Sequence, residues 1–190
     1  MARKNYKIRS KEIILFIQNE LHKKIIRDLR YHEFKIVSEA DLQSVVYYHL
    51  RKFLCKDESW RTYNKLYSSR RGRAGVYPDI VLLKCFPKIA IELKEHKSLQ
   101  KRYVVSDAKK LHRLRERIKY GFIIYLTRQK PQGGSSAFTD RAKEWIPSRY
   151  KNIIPIVINA YDEIPVDGWE NWEKQWNKFS KLRQRHRQRK

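Results

Sequence analysis

Apolar residues along the first fifty positions recur three or four residues apart, which is the spacing of one face of an α-helix. The stretch over 10–30 shows this spacing and is predicted to be an N-terminal helix. A second stretch begins at Ser38 with the sequence S-E-A-D, which resembles a capping box with Asp in place of Glu. The pattern therefore predicts a second helix after Ser38, with an apolar stripe that reaches Phe53.

The rest of the chain alternates between short apolar runs and longer helical patterns. The predicted elements are strands at 62–67, 76–83 and 88–94, a helix at 98–119, a strand at 121–127, a loop at 129–136, a helix at 137–145 and a strand at 153–160. The second and third strands are separated by a short turn, which favours an antiparallel hairpin. This order predicts an α/β fold with a mixed central sheet flanked by helices.

The length of 190 residues fits one domain. Near the C-terminus, aromatic residues at helical spacing are interpreted as a packing face, formed by Trp169, Trp172, Trp176 and Phe179. Residues 178–190, which overlap the end of that face, hold seven Lys or Arg and no acid, which makes a basic tail. A single domain is thus predicted over 1–177, with an N-terminal helix at 10–30, a core at 38–127 and an extension at 137–177.

The composition adds a strong positive charge to this fold. The chain has 44 Lys and Arg against 20 Asp and Glu, a formal net charge of +24. Phosphate backbones attract many cations at once, so nucleic acid is the expected partner. No apolar run is long enough for a transmembrane helix, and no membrane partner is expected. Cys55 and Cys85 form neither a disulfide framework nor a CxxC motif, which favours a reducing, cytoplasmic location.

The predicted hairpin carries the strongest candidates for chemistry. Glu92 and Lys94 are two residues apart, so they share one face of their strand. A regular hairpin centred on its turn places Asp79 directly opposite Glu92, with Cβ atoms about 4.5–5.5 Å apart. Carboxylates that close repel each other, and a divalent cation between them, Mg²⁺ for oxygen ligands, would remove the conflict. The alternative is a surface hairpin with solvated charges, but the apolar alternate positions favour a buried one.

Pro78-Asp79, then twelve residues, then Glu92-Leu93-Lys94 resembles the signature of the PD-(D/E)XK nuclease superfamily. The core of that superfamily, helix, three-strand meander, helix and strand, is similar in order to residues 38–127, about half of the chain. The resemblance implies a restriction-endonuclease-like fold and Mg²⁺-dependent hydrolysis of phosphodiester bonds, with Mn²⁺ as a substitute. It also implies that Asp79, Glu92 and the backbone carbonyl of Leu93 bind the metal, while Lys94 positions or activates the attacking water.

The resemblance extends to residues outside the hairpin. A carboxylate from the first core helix often joins such a site, and Glu39 is the first candidate here, Asp41 the second. Gln43 lies one turn from Glu39 and is expected to orient it. Asp107, followed by Lys110 and Leu111, is similar to a common pattern in the next helix. Phosphate contacts are expected from Arg70, Arg71, Arg73, Lys109, Lys110 and Arg113.

The expected function is therefore that of a Mg²⁺-dependent DNA endonuclease. The sequence shows no zinc finger and no helix-turn-helix annex, which disfavours a large sequence-specific restriction enzyme. A small, basic member resembles Holliday junction resolvases or mobile-element and phage endonucleases, which usually act as homodimers, here through the N-terminal helix. No P-loop sequence is present, so no nucleotide cofactor is expected. The alternatives are a non-catalytic basic nucleic-acid-binding protein and an RNA-directed nuclease of the same fold.

Overall fold

The computed structural model describes residues 7–31, 36, 38–64, 78–84, 86–114, 118–129, 134–163, 174 and 178. Within these residues the helices are α1 (Ser10–Leu15), α2 (His22–Tyr31), α3 (Glu39–Leu54), α4 (Lys101–His112), α5 (Gly134–Trp145) and α6 (Ala160–Glu163). The strands are β1 (Arg61–Asn64), β2 (Ile80–Lys84), β3 (Phe86–His96), β4 (Tyr120–Thr127) and β5 (Ile153–Asn159). A π-helical turn, Phe16–Leu21, joins α1 to α2, and a 3₁₀ turn, Ser148–Tyr150, precedes β5. None of the described helices is both long and apolar enough to span a membrane.

The strands lie side by side in chain order, from β1 to β5. The first three are antiparallel to one another, whereas β3, β4 and β5 are parallel. Parallel neighbours need crossover connections, and α4 and α5 lie in those two connections. This arrangement confirms the predicted α/β class with a mixed sheet flanked by helices, while the restriction-endonuclease-like identity of the fold stays a prediction.

Alternation along the strands divides the core between the two faces of the sheet. Ile91 and Leu93 of β3 pack with the helices that precede the sheet, whereas Ala90 packs with α4 and α5. Because successive side chains of a strand point to opposite faces, Glu92 and Lys94 share the α4 face with Ala90. Glu92 and Lys94 therefore face α4, whereas Ile91 and Leu93 face the main core.

The N-terminal helix keeps one face toward the core over an unusual length. Every fourth residue from position 13 is buried, namely Ile13, Ile17, Leu21, Ile25 and Leu29. In a regular α-helix this spacing drifts by about 40° per step, so the first and last side chains would point to nearly opposite sides. The π-helical turn underwinds the helix in its middle and reduces that drift. The helix predicted over 10–30 is confirmed, and its apolar face joins the main hydrophobic core of the chain.

The prediction of a helix over 98–119 is wrong at both ends. α4 begins at Lys101, with Gln100 as its N-cap, and ends at His112. Leu114 and Ile118 remain buried in the same cluster as α4 although they follow its end. The burial against α4 therefore continues past the end of the helix at Leu114 and Ile118.

Other boundaries differ by fewer residues. α5 begins at Gly134, inside the loop predicted over 129–136, and Ser135 there accepts a hydrogen bond of 2.9 Å from the backbone N–H of Asn159. β3 continues to His96, two residues beyond its predicted end, while β4 and β5 lie within one residue of their predicted bounds. The aromatic stripe (Trp169, Trp172, Trp176 and Phe179) and the tail after Lys178 lie outside the described residues.

Asp57 fastens the N-terminal segment to the edge of the sheet. Its carboxylate accepts hydrogen bonds from the backbone N–H of Ile8 (2.6 Å) and from the N–H and hydroxyl of Ser59 (3.0 and 2.5 Å). The Lys84 ammonium lies 3.6 Å away, and the Trp60 indole donates to the Ile8 carbonyl (2.8 Å). Burial acts to raise the pKa of Asp57, but these hydrogen bonds and Lys84 outweigh it and lower the pKa overall.

We expect Asp57→Asn to lower the free energy of unfolding by about 2–3 kcal/mol at neutral pH, because charge-assisted hydrogen bonds are lost. The pKa of Asp57 is lower in the folded state than its unfolded value of about 3.9. Its contribution is therefore present above that unfolded value and lost as the pH falls through the folded value. Urea unfolding at neutral pH and in acid measures both effects.

Asp140→Asn is the matched control, because the exposed Asp140 pairs with Lys143 of the same helix. Its effect should stay below about 0.5 kcal/mol. Equal losses in the two variants would contradict the anchoring role of Asp57, as would a loss in Asp57→Asn that is undiminished in acid.

Candidate functional site

The hairpin of β2 and β3 has the predicted register where it carries the candidate residues. Ile80 pairs with Ile91, and the next two pairs keep that register. The register shifts by one residue after Leu82, so the prediction of a regular hairpin is wrong at the turn. Asp79 directly precedes the first pair and comes beside Glu92, as the pattern predicts.

Asp79 is held from two sides. Its carboxylate accepts a hydrogen bond from the backbone N–H of Leu93 at 2.8 Å. Its own carbonyl accepts one from the side-chain amide of Gln43 at 3.0 Å. The expected role of Gln43 in orienting Glu39 is thus replaced by a contact with Asp79. With 8% of its surface exposed, Asp79 is oriented by the protein and not by solvent.

Glu92 is fully buried, and two lysines share one of its oxygens. Lys94 Nζ lies 2.7 Å and Lys110 Nζ 2.5 Å from Glu92 Oε1. The other oxygen, Oε2, is buried and has no hydrogen-bond partner among the described residues. Burial raises the pKa of Glu92, the Asp79 carboxylate raises it further, and the two lysines offset only part of this. The two lysines therefore compensate the charge of Glu92 only in part, and a further cation would stabilise its ionised form.

The ammonium of Lys94 lies where oxygens from three segments converge. Besides Glu92, it contacts the Leu93 carbonyl at 3.0 Å and lies 3.8 Å from Glu39 and 4.0 Å from Asp79. Burial acts to lower the pKa of Lys94, but attraction to Glu92, Glu39 and Asp79 raises it overall. The pKa values of both groups are therefore raised, that of Glu92 first by burial and then by Asp79, and that of Lys94 by the three carboxylates around it.

Helix α3 brings Glu39 and not Asp41 to the lysine. Ser38 is the N-cap, and its hydroxyl accepts a hydrogen bond from the Asp41 N–H at 3.1 Å. The same hydroxyl donates to the Asp41 carboxylate at 2.7 Å, which keeps that side chain at the cap. Glu39 is 39% exposed and lies at the rim of the site, within reach of Lys94.

Helix α4 adds a second set of charged groups. Lys110 lies on Glu92, and Asp107, one turn earlier, accepts a hydrogen bond from the Tyr125 hydroxyl at 2.8 Å. Burial raises the pKa of Asp107, although the hydrogen bond from Tyr125 partly offsets this, and burial together with Asp107 raises the pKa of Tyr125. Lys109 and Arg113 are exposed. The remaining predicted phosphate contacts, Arg70, Arg71 and Arg73, lie outside the described residues.

The oxygens around Lys94 are chemically suited to a hard divalent cation. Carboxylate and carbonyl oxygens are the ligands of Mg²⁺ and Ca²⁺, and Glu92 Oε2 has no partner among the described residues. As these side chains lie, no three His, Cys, Asp or Glu residues of the described segments form a metal-binding group. The carboxylate oxygens lie 2.7–4.0 Å from the nitrogen, whereas Mg²⁺ needs about 2.0–2.1 Å. A metal ion would therefore require the ammonium to leave and the oxygens to close in.

Comparison with known proteins leaves the site to be judged on its own geometry. No protein-family model matches the chain, and neither a curated protein nor a solved structure matches it. The resemblance to PD-(D/E)XK nucleases thus rests on the motif alone, and the contacts around Lys94 are the structural basis for a function.

We expect Lys94→Met to lower the free energy of unfolding by about 1–3 kcal/mol at neutral pH, because Glu92 loses one hydrogen-bonded partner and repels Asp79 with only Lys110 beside it. The folded pKa of Glu92 is raised, so this repulsion is present above that raised value and relieved as the pH falls through it. Thermal unfolding near pH 7 and near pH 4 should show the difference from wild type narrowing in acid.

Lys143→Met serves as the control, since the Lys143 side chain is 56% exposed and pairs with Asp140 on the surface of α5. It should unfold like the wild type at both pH values. A Lys94→Met deficit that is the same near pH 7 and near pH 4 would contradict the assignment of that deficit to carboxylate repulsion.

Proposed function

We propose that the chain is a divalent-metal-dependent nuclease that hydrolyses phosphodiester bonds in DNA. The supporting observation is that Asp79, Glu92, Glu39 and the Leu93 carbonyl, from three separate segments, surround the ammonium of Lys94. Burying two carboxylates side by side is costly, and a simple structural ion pair does not require it. Titratable groups whose pKa values are shifted by burial and by each other are typical of functional sites.

The residues of this site have distinct roles in the proposed reaction. Asp79, Glu92 and the Leu93 carbonyl are the groups that would hold Mg²⁺, or Mn²⁺ in its place, and Glu39 would complete the set at the rim. A bound divalent ion supplies Lewis acidity, which polarises a phosphoryl oxygen and lowers the pKa of water. Lys94, once displaced from the carboxylates, donates hydrogen bonds to the attacking water or to a phosphate oxygen and stabilises developing negative charge. The Leu93 N–H keeps Asp79 oriented throughout.

The net charge of +24 supports nucleic acid as the substrate. Lys109 and Arg113 are exposed on α4, the helix that delivers Lys110 to the site. Contacts between such cations and phosphates release counterions, so affinity should fall steeply with salt. A homodimer, which the resemblance implies, would bring a second site to the opposite DNA strand.

Cleavage of supercoiled plasmid and of a four-way DNA junction in Mg²⁺, Mn²⁺ or EDTA tests this proposal. We expect cutting in either metal and none in EDTA. Asp79→Asn and Lys94→Met should each slow cutting by about 100-fold or more, because each removes a charge on which the transition state depends. Asp140→Asn and Lys143→Met make the same chemical changes on the surface of α5 and should cut like the wild type.

The outcomes separate the alternatives. Tight binding of every substrate without cutting in any metal would favour a non-catalytic nucleic-acid-binding protein. Faster cutting of RNA than of DNA would favour an RNA-directed nuclease of the same fold. Metal-dependent cutting that survives in both site variants would show that the chemistry lies elsewhere in the chain.

Calcium tests the oxygen site without turnover. We expect Ca²⁺ to raise the unfolding temperature of the wild type, because an ion that binds only the folded state stabilises it. The rise should be larger in Lys94→Met, where no ammonium of residue 94 competes for the oxygens, and absent in Glu92→Gln. Thermal unfolding with and without Ca²⁺ measures it, with Lys143→Met as the control that should match the wild type. A calcium effect of equal size in all four proteins would place the ion at another site.

A further inference from the structure

Stacked side chains form a column from the interior to the surface next to the candidate site. The His96 ring is nearly parallel to Tyr103, with centroids 4.5 Å apart and an angle of 7°. Tyr125 lies on the inner side, 6.0 Å from His96. The guanidinium of Arg102 lies over the Tyr103 ring, 4.8 Å from its centroid. The guanidinium also donates a hydrogen bond of 3.0 Å to the Tyr103 hydroxyl, so it covers the hydroxyl end of the ring.

Tyr125, at the inner end of the column, is held in place, whereas Arg102, at the outer end, can be displaced by another group. Tyr125 is fully buried, and its hydroxyl is held by Asp107 at 2.8 Å. Tyr103 is half-buried, while Arg102 is exposed at the start of α4. A contact between an exposed guanidinium and a ring is weaker than the stacking of a nucleobase on an aromatic ring. Arg102 is also held by exposed hydrogen bonds to Gln100 (2.9 Å) and to the Tyr103 hydroxyl (3.0 Å), which water can replace at little cost. A base stacked on Tyr103 can therefore displace the guanidinium.

The column is close to the proposed chemistry. His96 lies two residues beyond Lys94 on the same face of β3, a separation of about 6.6 Å along the strand. A nucleotide whose phosphate is held at Lys94 would thus have its base within reach of the column.

We propose that Tyr103, backed by His96 and Tyr125, binds an unpaired nucleobase adjacent to the phosphate that is cut. This inference rests on the proposed nuclease function and narrows its substrate to strands with unstacked bases, such as single strands, flaps or distorted junctions. A base inside a regular duplex has both faces covered by its neighbours and is not available to the column. Stacking of this kind tolerates any base, because every base has a π-face.

Binding in EDTA, where no cutting is expected, tests the inference by fluorescence anisotropy. The ligands are a single-stranded oligonucleotide, the same strand with abasic sites throughout, and a blunt duplex of the same sequence. Tyr103→Leu should bind the intact single strand about tenfold more weakly, the loss of roughly one base stack. Its binding to the abasic strand and to the duplex should be unchanged, and Tyr103→Phe should bind all three like the wild type.

Tyr48→Leu is the matched control, because Tyr48 is 45% exposed and has the Lys52 ammonium 5.7 Å from its ring centroid. It should bind all three ligands like the wild type. An RNA strand of the same sequence distinguishes a ribonucleotide from a deoxyribonucleotide as the source of the base. Equal weakening by Tyr103→Leu on all ligands, or no weakening on any, would overturn the inference.

Arg102→Ala provides a second test. Because Arg102 is exposed on the surface of α4, we expect its replacement to leave the fold unchanged. Removal of the guanidinium uncovers Tyr103, so the ratio of single-strand affinity to duplex affinity should rise. A ratio that stays the same or falls would overturn the inference. All these binding measurements are made without metal, so they do not depend on cutting. The plasmid assay tests the nuclease proposal, and the binding assay tests the base-stacking proposal, so failure of one is distinguishable from failure of the other.

Discussion

A carboxylate withdrawn from water must be matched by nearby positive charge, and Glu92 imposes this requirement at the centre of the sheet. Lys94 meets it from the same strand and Lys110 from α4, so one oxygen joins the hairpin to the helix that follows it. The next backbone N–H, that of Leu93, fixes Asp79. If α4 or the segment at Asp79 shifted relative to β3, a buried carboxylate would lose its partner. These elements therefore have to move together.

The acidic pair was predictable because two simple periodicities fix it. A hairpin with a short turn sets which residues face each other, and the register holds where Asp79 meets Glu92 although it shifts nearer the turn. The two-residue period of a strand then puts Lys94 beside Glu92. The choice between Glu39 and Asp41 needed the structure, because it depends on which side chain the helix cap engages.

The role of Lys110 could not be read from the sequence. Lys109 and Lys110 lie at similar angles on the two flanks of the apolar stripe of α4, formed by Val104, Ala108 and Leu111. Which flank faces β3 depends on how the helix crosses the sheet, and packing decides this, not local pattern. The contact between Tyr103 and His96 was equally unpredictable, because the sequence pattern ended the strand at residue 94 and β3 continues to His96.

The π-helical turn at 16–21 also decides where the N-terminal helix can change its length. Its underwinding takes up about the rotation of one residue, so deleting one residue there would restore a regular α-helix and leave α2 facing nearly as it does now. Asp28, fully buried and 2.7 Å from His49 of α3, would keep its partner. The same deletion within α2, before Asp28, would rotate Asp28 by about 100° away from His49. A shortened relative of this chain should therefore lack a residue in the turn and retain the buried pair.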